Sequence, residues 1–126
     1  MAKSSAKSLP SLSVRIDLAP EGRIGPGKIQ LLEQIHEHGS ISAAGRAMEM
    51  SYKRAWDLVD EINRICRQSA VEPQTGGKNG GGAVLTPFGI TLVKRYRKIE
   101  RDAAGAVRRE LQALRGEIAR AKKRAR

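Results

Sequence analysis

The chain has 126 residues, a net charge of +11 and a pI near 10.5, with 40% hydrophobic residues but only one Trp, two Tyr and one Phe. That is one domain's worth of chain, with a core built from Ile, Leu, Val, Ala and Met, and its basic excess implies a polyanionic partner, either nucleic acid or an acidic membrane surface. The single cysteine, Cys66, excludes an internal disulfide, no apolar run reaches the length of a membrane span, and the N-terminus lacks the apolar centre of a secretory signal, so a reducing, cytoplasmic setting is expected.

Residues 1–11, rich in Ser and Lys, are expected to form a disordered tail. Leu12, Val14, Ile16 and Leu18 then alternate with Ser13, Arg15 and Asp17, a period-two pattern that predicts a strand. The turn-rich APEGRIGPG at 19–27 stops it. Over 27–38, Ile29, Leu32, Ile35 and His36 share a face with Leu31 beside them, an amphipathic helix ended by Gly39. Ser40 is positioned to cap the next helix, whose inner side is Ile41, Ala44, Ala47 and Met48. The small residues Ala43, Ala44 and Gly45 allow a neighbouring helix to approach closely.

Residues 48–50 make a turn, and Ser51 caps a third helix over about 52–68 with an inner stripe of Ala55, Leu58, Val59, Ile62, Ile65 and Cys66. Two short strand candidates, residues 70–72 and AVLT at 83–86, flank a Gly-rich loop and read as a hairpin. Thr86 then caps and Pro87 takes the first position of a long helix over about 87–118. The basic tail 119–126 is expected to fray. The expected division is a tail at 1–11, a helix-and-hairpin domain at 12–86, a long helix at 87–118 and a basic tail at 119–126.

The most informative stretch is 39–57, GSISAAGRAMEMSYKRAWD, which reads as helix, tight turn, helix. A second helix that opens with Ser51, Tyr52, Lys53 and Arg54 suits a helix-turn-helix whose recognition helix enters the major groove of DNA. Arg pairs with guanine through two hydrogen bonds, and Lys serves guanine or phosphate. Both charges sit at the positive end of the helix dipole, a mismatch worth a few tenths of a kcal/mol, roughly, that an external phosphate offsets. Ser40 and Ser42, at the start of the helix expected to cross the DNA backbone, are candidates for phosphate contact, with capping alone the equal alternative; Ser51 reads mainly as a cap, and the backbone amides beside it are candidates to meet phosphate. The loop 75–82 holds five glycines in eight residues. Its Thr75, Lys78 and Asn79 are candidates to touch the backbone or minor groove as a wing, and it does not match a nucleotide-binding P-loop. Bulk charge does not carry this reading. Residues 1–86 hold 11 Lys/Arg against 9 Asp/Glu, and residues 87–126 hold 13 against 4.

SYKRAWDLVDEIN followed by TGGKNGGGAVLTPFG resembles the N-terminal, LysR-like winged helix-turn-helix domain of the ModE-type molybdate-responsive transcriptional regulators, from about Ile24 to about Arg101. GSIS, SYK-AWD and TGGK-GGGAVLT recur there in this order and spacing. The resemblance implies a mainly α fold with a small β-hairpin, a winged helix-turn-helix with a long C-terminal dimerisation helix. It also implies homodimeric binding to double-stranded DNA at a palindromic operator, and regulation, as a repressor, of genes for molybdate uptake. The family's molybdate-binding modules follow the DNA-binding domain and are expected to be absent from these 126 residues, so the operator-binding half carries over and the molybdate-sensing half does not; molybdate binding by this chain is doubtful, a response to molybdate would need another route or a partner, and no cofactor is expected.

Other residues read blandly. Trp56 lies beside the core stripe and is expected to fill a gap between helices. His36 and His38, two apart on a helix, make a poor metal site. Cys66 reads as a small buried residue. Asp57, Asp60 and Glu61 are the polar face of the third helix, and no catalytic constellation is present, so an enzyme is not expected. In the last helix Val93, Tyr96, Ile99, Ala103, Val107 and Leu111 recur every three or four residues, followed by Leu114 and Ile118. A stripe too long for so small a domain to cover suggests isologous self-association. The competing reading is a winged-helix protein-interaction adaptor with only nonspecific DNA affinity.

Overall fold

The computed structural model describes residues 11–18, 20–74 and 82–124, without the side chains of 122 and 123. Thr75, Lys78 and Asn79 of the loop lie outside the described residues. Strands β1 (Ile16–Leu18) and β2 (Gly22–Ile24) are followed by helices α1 (Pro26–His38), α2 (Ile41–Ala47) and α3 (Tyr52–Cys66). Strands β3 (Val71–Gln74) and β4 (Gly82–Leu85) come next, then α4 (Pro87–Ala106) and α5 (Arg108–Arg124). The described chain is thus mainly helical, with two antiparallel strand pairs. Ile16 pairs with Ile24 in the first, and Val71 with Leu85 in the second. No described helix is long and apolar enough to cross a membrane.

The expected strand at 12–18 is shorter than its alternation suggested. Only Ile16–Leu18 pairs, and its partner is the 22–24 stretch read as turn. Leu12 and Leu18 are exposed, so the apolar side of that pattern covers no continuous core. Glycine makes the return possible: Gly22 has φ +143, and a Cβ there would press on Ile65 Cδ1 at 2.9 Å. The third helix stops at Cys66 because Arg67 takes a left-handed conformation, φ 59. The last helical run, expected to end near 118, continues through α5 to Arg124. Between α4 and α5 helical bonds persist, Val107 N donating to Ala103 O at 3.2 Å and Leu111 N to Val107 O at 3.0 Å.

The residues form two compact units, one of 14–97 and one holding 98 onward. The larger has a single core. Ile29, Leu31, Leu32 and Ile35 of α1 meet Ala44 of α2, Ala55, Val59 and Ile62 of α3, and Ala83 and Leu85 of β4. His36 and Ala47, placed on inner faces by periodicity, are exposed. Tyr96 is buried at 1% and its hydroxyl donates to Val14 O at 2.6 Å, so this tyrosine belongs to the unit's own core and not to an outward stripe. Arg97 reinforces the same region with a two-pronged pair to Glu33, Nε to Oε2 at 3.0 Å and Nη2 to Oε1 at 2.8 Å. In the smaller unit, Ile99, Leu114 and Ile118 are exposed at 43%, 50% and 58%.

Candidate nucleic-acid interface

Local chemistry builds the start of α3. Ser51 is extended, and its Oγ accepts from Arg54 N at 3.0 Å. Ser40 does the same for α2, its Oγ accepting from Ala43 N at 3.0 Å. These side chains satisfy amides that a helix start leaves open. The turn between the helices closes through Met50 N donating to Gly45 O at 2.9 Å, with Glu49 left-handed at φ 58. That conformation costs a residue with a side chain on the order of 1 kcal/mol. Gly45 is the contact point of the two helices. A Cβ there would stand 3.2 Å from Ala55 Cβ and 3.4 Å from Met50 O.

Burial behind α3 and exposure in front of it set which side chains face outward. Ala55, Val59, Ile62 and Ile65 are buried, whereas Ser51, Tyr52, Lys53 and Arg54 are all exposed. Helical spacing arranges the outer surface in three adjacent i,i+4 rows: Tyr52 with Trp56, Lys53 with Asp57, and Arg54 with Leu58. In the first row the rings meet edge to face with centroids 6.4 Å apart, and the Trp56 indole N–H donates to the Tyr52 hydroxyl. Trp56, expected to fill a gap between helices, is instead 40% exposed, and with Tyr52 it lines a cleft of about 330 Å³ shared with Ile41, Ser42, Val71 and Gln74. The described part of the β3–β4 hairpin lines the other side of this cleft and leaves it open.

In the middle row Lys53 Nζ pairs with Asp57 Oδ2 at 3.0 Å, side chains 85% and 56% exposed. An ion pair so exposed is worth about 0–1 kcal/mol, so Asp57 holds Lys53 only weakly against any competing anion. The i,i+4 spacing of the two residues on α3 carries the signal for this pair. A further contact that periodicity missed is Arg46 Nη1, which donates to Ser42 Oγ at 2.9 Å and adds a cation beside the start of α2. No acidic residue stands in the first turn of α1, α2 or α3.

The base of the β3–β4 hairpin is tied to this surface. Ala83 N donates to Gly39 O at 2.9 Å, and Thr86 N to Ala70 O at 3.0 Å. Thr86 Oγ1 donates to Ser69 O at 2.7 Å and accepts from Gly89 N at 3.0 Å, capping α4. Asn63 of α3 reaches the same junction, its Oδ1 accepting from Ala70 N at 2.8 Å. The structure therefore brings Ser40, Ser42, Ser51, Tyr52, Lys53 and Arg54 onto one unit with the roots of the hairpin. Of the stripe on the last helix, Val93, Ala103, Val107 and Leu111 are half-buried, and Ile99 is exposed. His36 and His38 are exposed, with His38 Nε2 3.1 Å from Gln34 Oε1. Cys66 is half-buried, and desolvation pushes its thiol pKa up.

No family model matches the chain. Several curated proteins do. It is 46% identical over 71 residues to the DNA-binding transcriptional dual regulator ModE of Escherichia coli K12, covering 56% of this chain and 27% of that protein. It is 46% identical over 82 residues to the molybdenum-pterin-binding protein MopB of Rhodobacter capsulatus, covering 65% of this chain and 30% of that one. It is 39% identical over 87 residues to the molybdenum transport protein ModE of Azotobacter vinelandii, covering 69% and 32%. The larger part of this chain is thus similar to known regulators and molybdenum-linked proteins, and the chain spans about a third of the length of the curated relatives it matches.

Proposed function

We propose that the chain is a sequence-specific DNA-binding regulator of the winged helix-turn-helix type. In this reading it acts as a homodimer on a palindromic operator and represses genes of molybdate uptake or molybdenum metabolism. One observation carries the reading: Tyr52, Lys53 and Arg54 stand exposed together on the first turn of a helix whose opposite face is buried. A helix presented this way enters a major groove with its first turns against base edges. Helix starts without acidic residues favour an anionic partner. The names of similar proteins, a DNA-binding regulator and molybdenum-linked proteins, support both the partner and the regulated process.

In the division of labour, Ser40, Ser42 and Ser51 position the protein on phosphates, Tyr52 and Lys53 face the groove, and Arg54 contacts the DNA from the neighbouring row of α3. Thr75, Lys78 and Asn79 rest on the flanking backbone. The exposed Ile99, Leu114 and Ile118 support self-association through the C-terminal helices. The test selects duplexes from a random library and compares the winner with a scrambled duplex at several salt concentrations. The parent protein is expected to prefer the selected duplex, with affinity falling steeply as salt rises. Lys53→Ala with Arg54→Ala is expected to abolish the preference while the melting temperature holds. Equal binding of selected and scrambled duplexes by the parent would leave the protein-interaction adaptor as the better description.

A further inference from the structure

Beside the third row of α3 lies a cavity of about 380 Å³ lined by four cations, Arg15, Arg23, Lys28 and Arg54. They come from separate places in the chain: Arg23 from β2, Arg15 from the residue before β1, Lys28 from the first turn of α1, and Arg54 from α3. Gly25 and Gly27, at the start of α1, also line it. The stem of Arg15 lies over Gly25, where a built Cβ would be 3.1 Å from Arg15 Cγ. A side chain at 25 would displace that arginine.

Two carboxylates face the same groups. Asp17 stands 3.5 Å from Arg23 Nε, and Glu61 stands 3.3 Å from Lys28 Nζ, which also donates to Arg23 O at 3.0 Å. Arg15 and Arg54 have no acidic partner among the described residues, so two positive charges remain uncompensated. No side chain caps the first turn of α1, and no acid stands in it. Like charges gathered around a solvated hollow repel, and an anion placed among them relieves the repulsion.

Resting on the reading of α3 as the groove-entering helix, we propose that this basin grips a backbone phosphate at the edge of that groove. Arg54, with Arg15 and Arg23, is then a phosphate contact and not a reader of base edges. The rows of α3 commit the basin to DNA. Arg54 is one row from Lys53, and the major groove, about 12 Å wide, is bordered on both sides by phosphates. A helix start seated in the groove carries its lateral row to one of those borders. The clamp opposes the cleft of Tyr52 and Trp56, so the two sides of α3 divide the work: cations to the backbone, aromatic and Lys53 side to the bases.

The experiment measures the salt dependence of duplex binding for the parent, Arg15→Gln/Arg23→Gln and Arg54→Gln, on both the selected and the scrambled duplex. Both substituted arginines of the double variant are exposed, and melting curves check its fold. A phosphate clamp predicts that each variant lowers the slope of log affinity against log salt by about one. It also predicts the same loss on both duplexes, leaving the ratio between them unchanged. Unchanged slopes would overturn the clamp, and so would an Arg54→Gln variant that loses preference at one base position. A parent that prefers no selected duplex would sink the regulator reading instead, while the slope on scrambled DNA still tests the basin. Saturable binding of inorganic phosphate lost in Arg15→Gln, with unchanged duplex slopes, would make the basin a free-anion site and refute the DNA assignment.

Discussion

Replacing Gly89 by alanine tests the junction that holds α4 and the β3–β4 hairpin together. Gly89 is the third residue of α4, and a Cβ there would fall inside the van der Waals shell of Ala70 O, 3.0 Å from the carbonyl carbon and 3.3 Å from Cα. The obstacle is backbone and has no rotamer to turn away. Ala70 O also accepts from Thr86 N at 3.0 Å, and Ala70 N donates to Asn63 Oδ1 at 2.8 Å, so a shift of this residue strains bonds to two other elements. Overpacking costs about 1–3 kcal/mol. A weakened hydrogen bond adds about 1 kcal/mol, and the helix preference of Ala over Gly returns at most about 1 kcal/mol. The expected net loss is therefore about 2 kcal/mol, which in a unit of this size lowers the melting temperature by roughly 8–16 °C. Calorimetry and far-ultraviolet circular dichroism read it directly. Gly105→Ala is the control, because nothing lies within 4 Å of a Cβ there and alanine is expected to raise helicity. A Gly89→Ala protein melting at the parent's temperature or above would refute the reasoning.

Ser51→Ala removes the cap of α3 and is expected to cost about 1 kcal/mol. Ser51→Asp keeps an acceptor for Arg54 N and suits the helix dipole, so its melting temperature should hold while duplex binding falls. Equal duplex binding by Ser51→Asp and the parent would remove Ser51 from the interface. Cys66 supplies a pH prediction. Desolvation raises its pKa in the fold, so ionisation disfavours the folded state and stability declines as pH rises past the unfolded thiol's pKa, near 8.5. Below that pH the thiol has no effect. Alkylation by a neutral reagent should accelerate at higher pH in the folded protein than in the denatured chain, and coincident profiles would contradict this.

Helix ends in this chain are written in residues a few positions apart. Ser40, Ser51 and Thr86 each cap an amide three residues on, Gly39 closes α1 in a left-handed turn, and Pro87 opens α4. The buried stripe of α3 followed from spacing in the same way. These features were legible because their energetics are local: a cap or a turn of helix involves partners already adjacent in the chain. Outward placement of Tyr52, Lys53 and Arg54 follows from that stripe, which is why most of the candidate interface was visible before the fold.

Where a side chain's partner lies far along the chain, periodicity misled. Tyr96 carried the same spacing as its neighbours on the last helix, yet it turns inward to Val14, 82 positions away. The spacing of α3 places Trp56 beside the core stripe, yet among the described residues it lines an open cleft. β1 found its partner in residues that read as turn, and that pairing brings Arg15 and Arg23 beside Lys28 and Arg54. Each outcome depends on the free energy of bringing distant segments together, and a pattern within a few residues carries no information about which distant surface will be there to meet it.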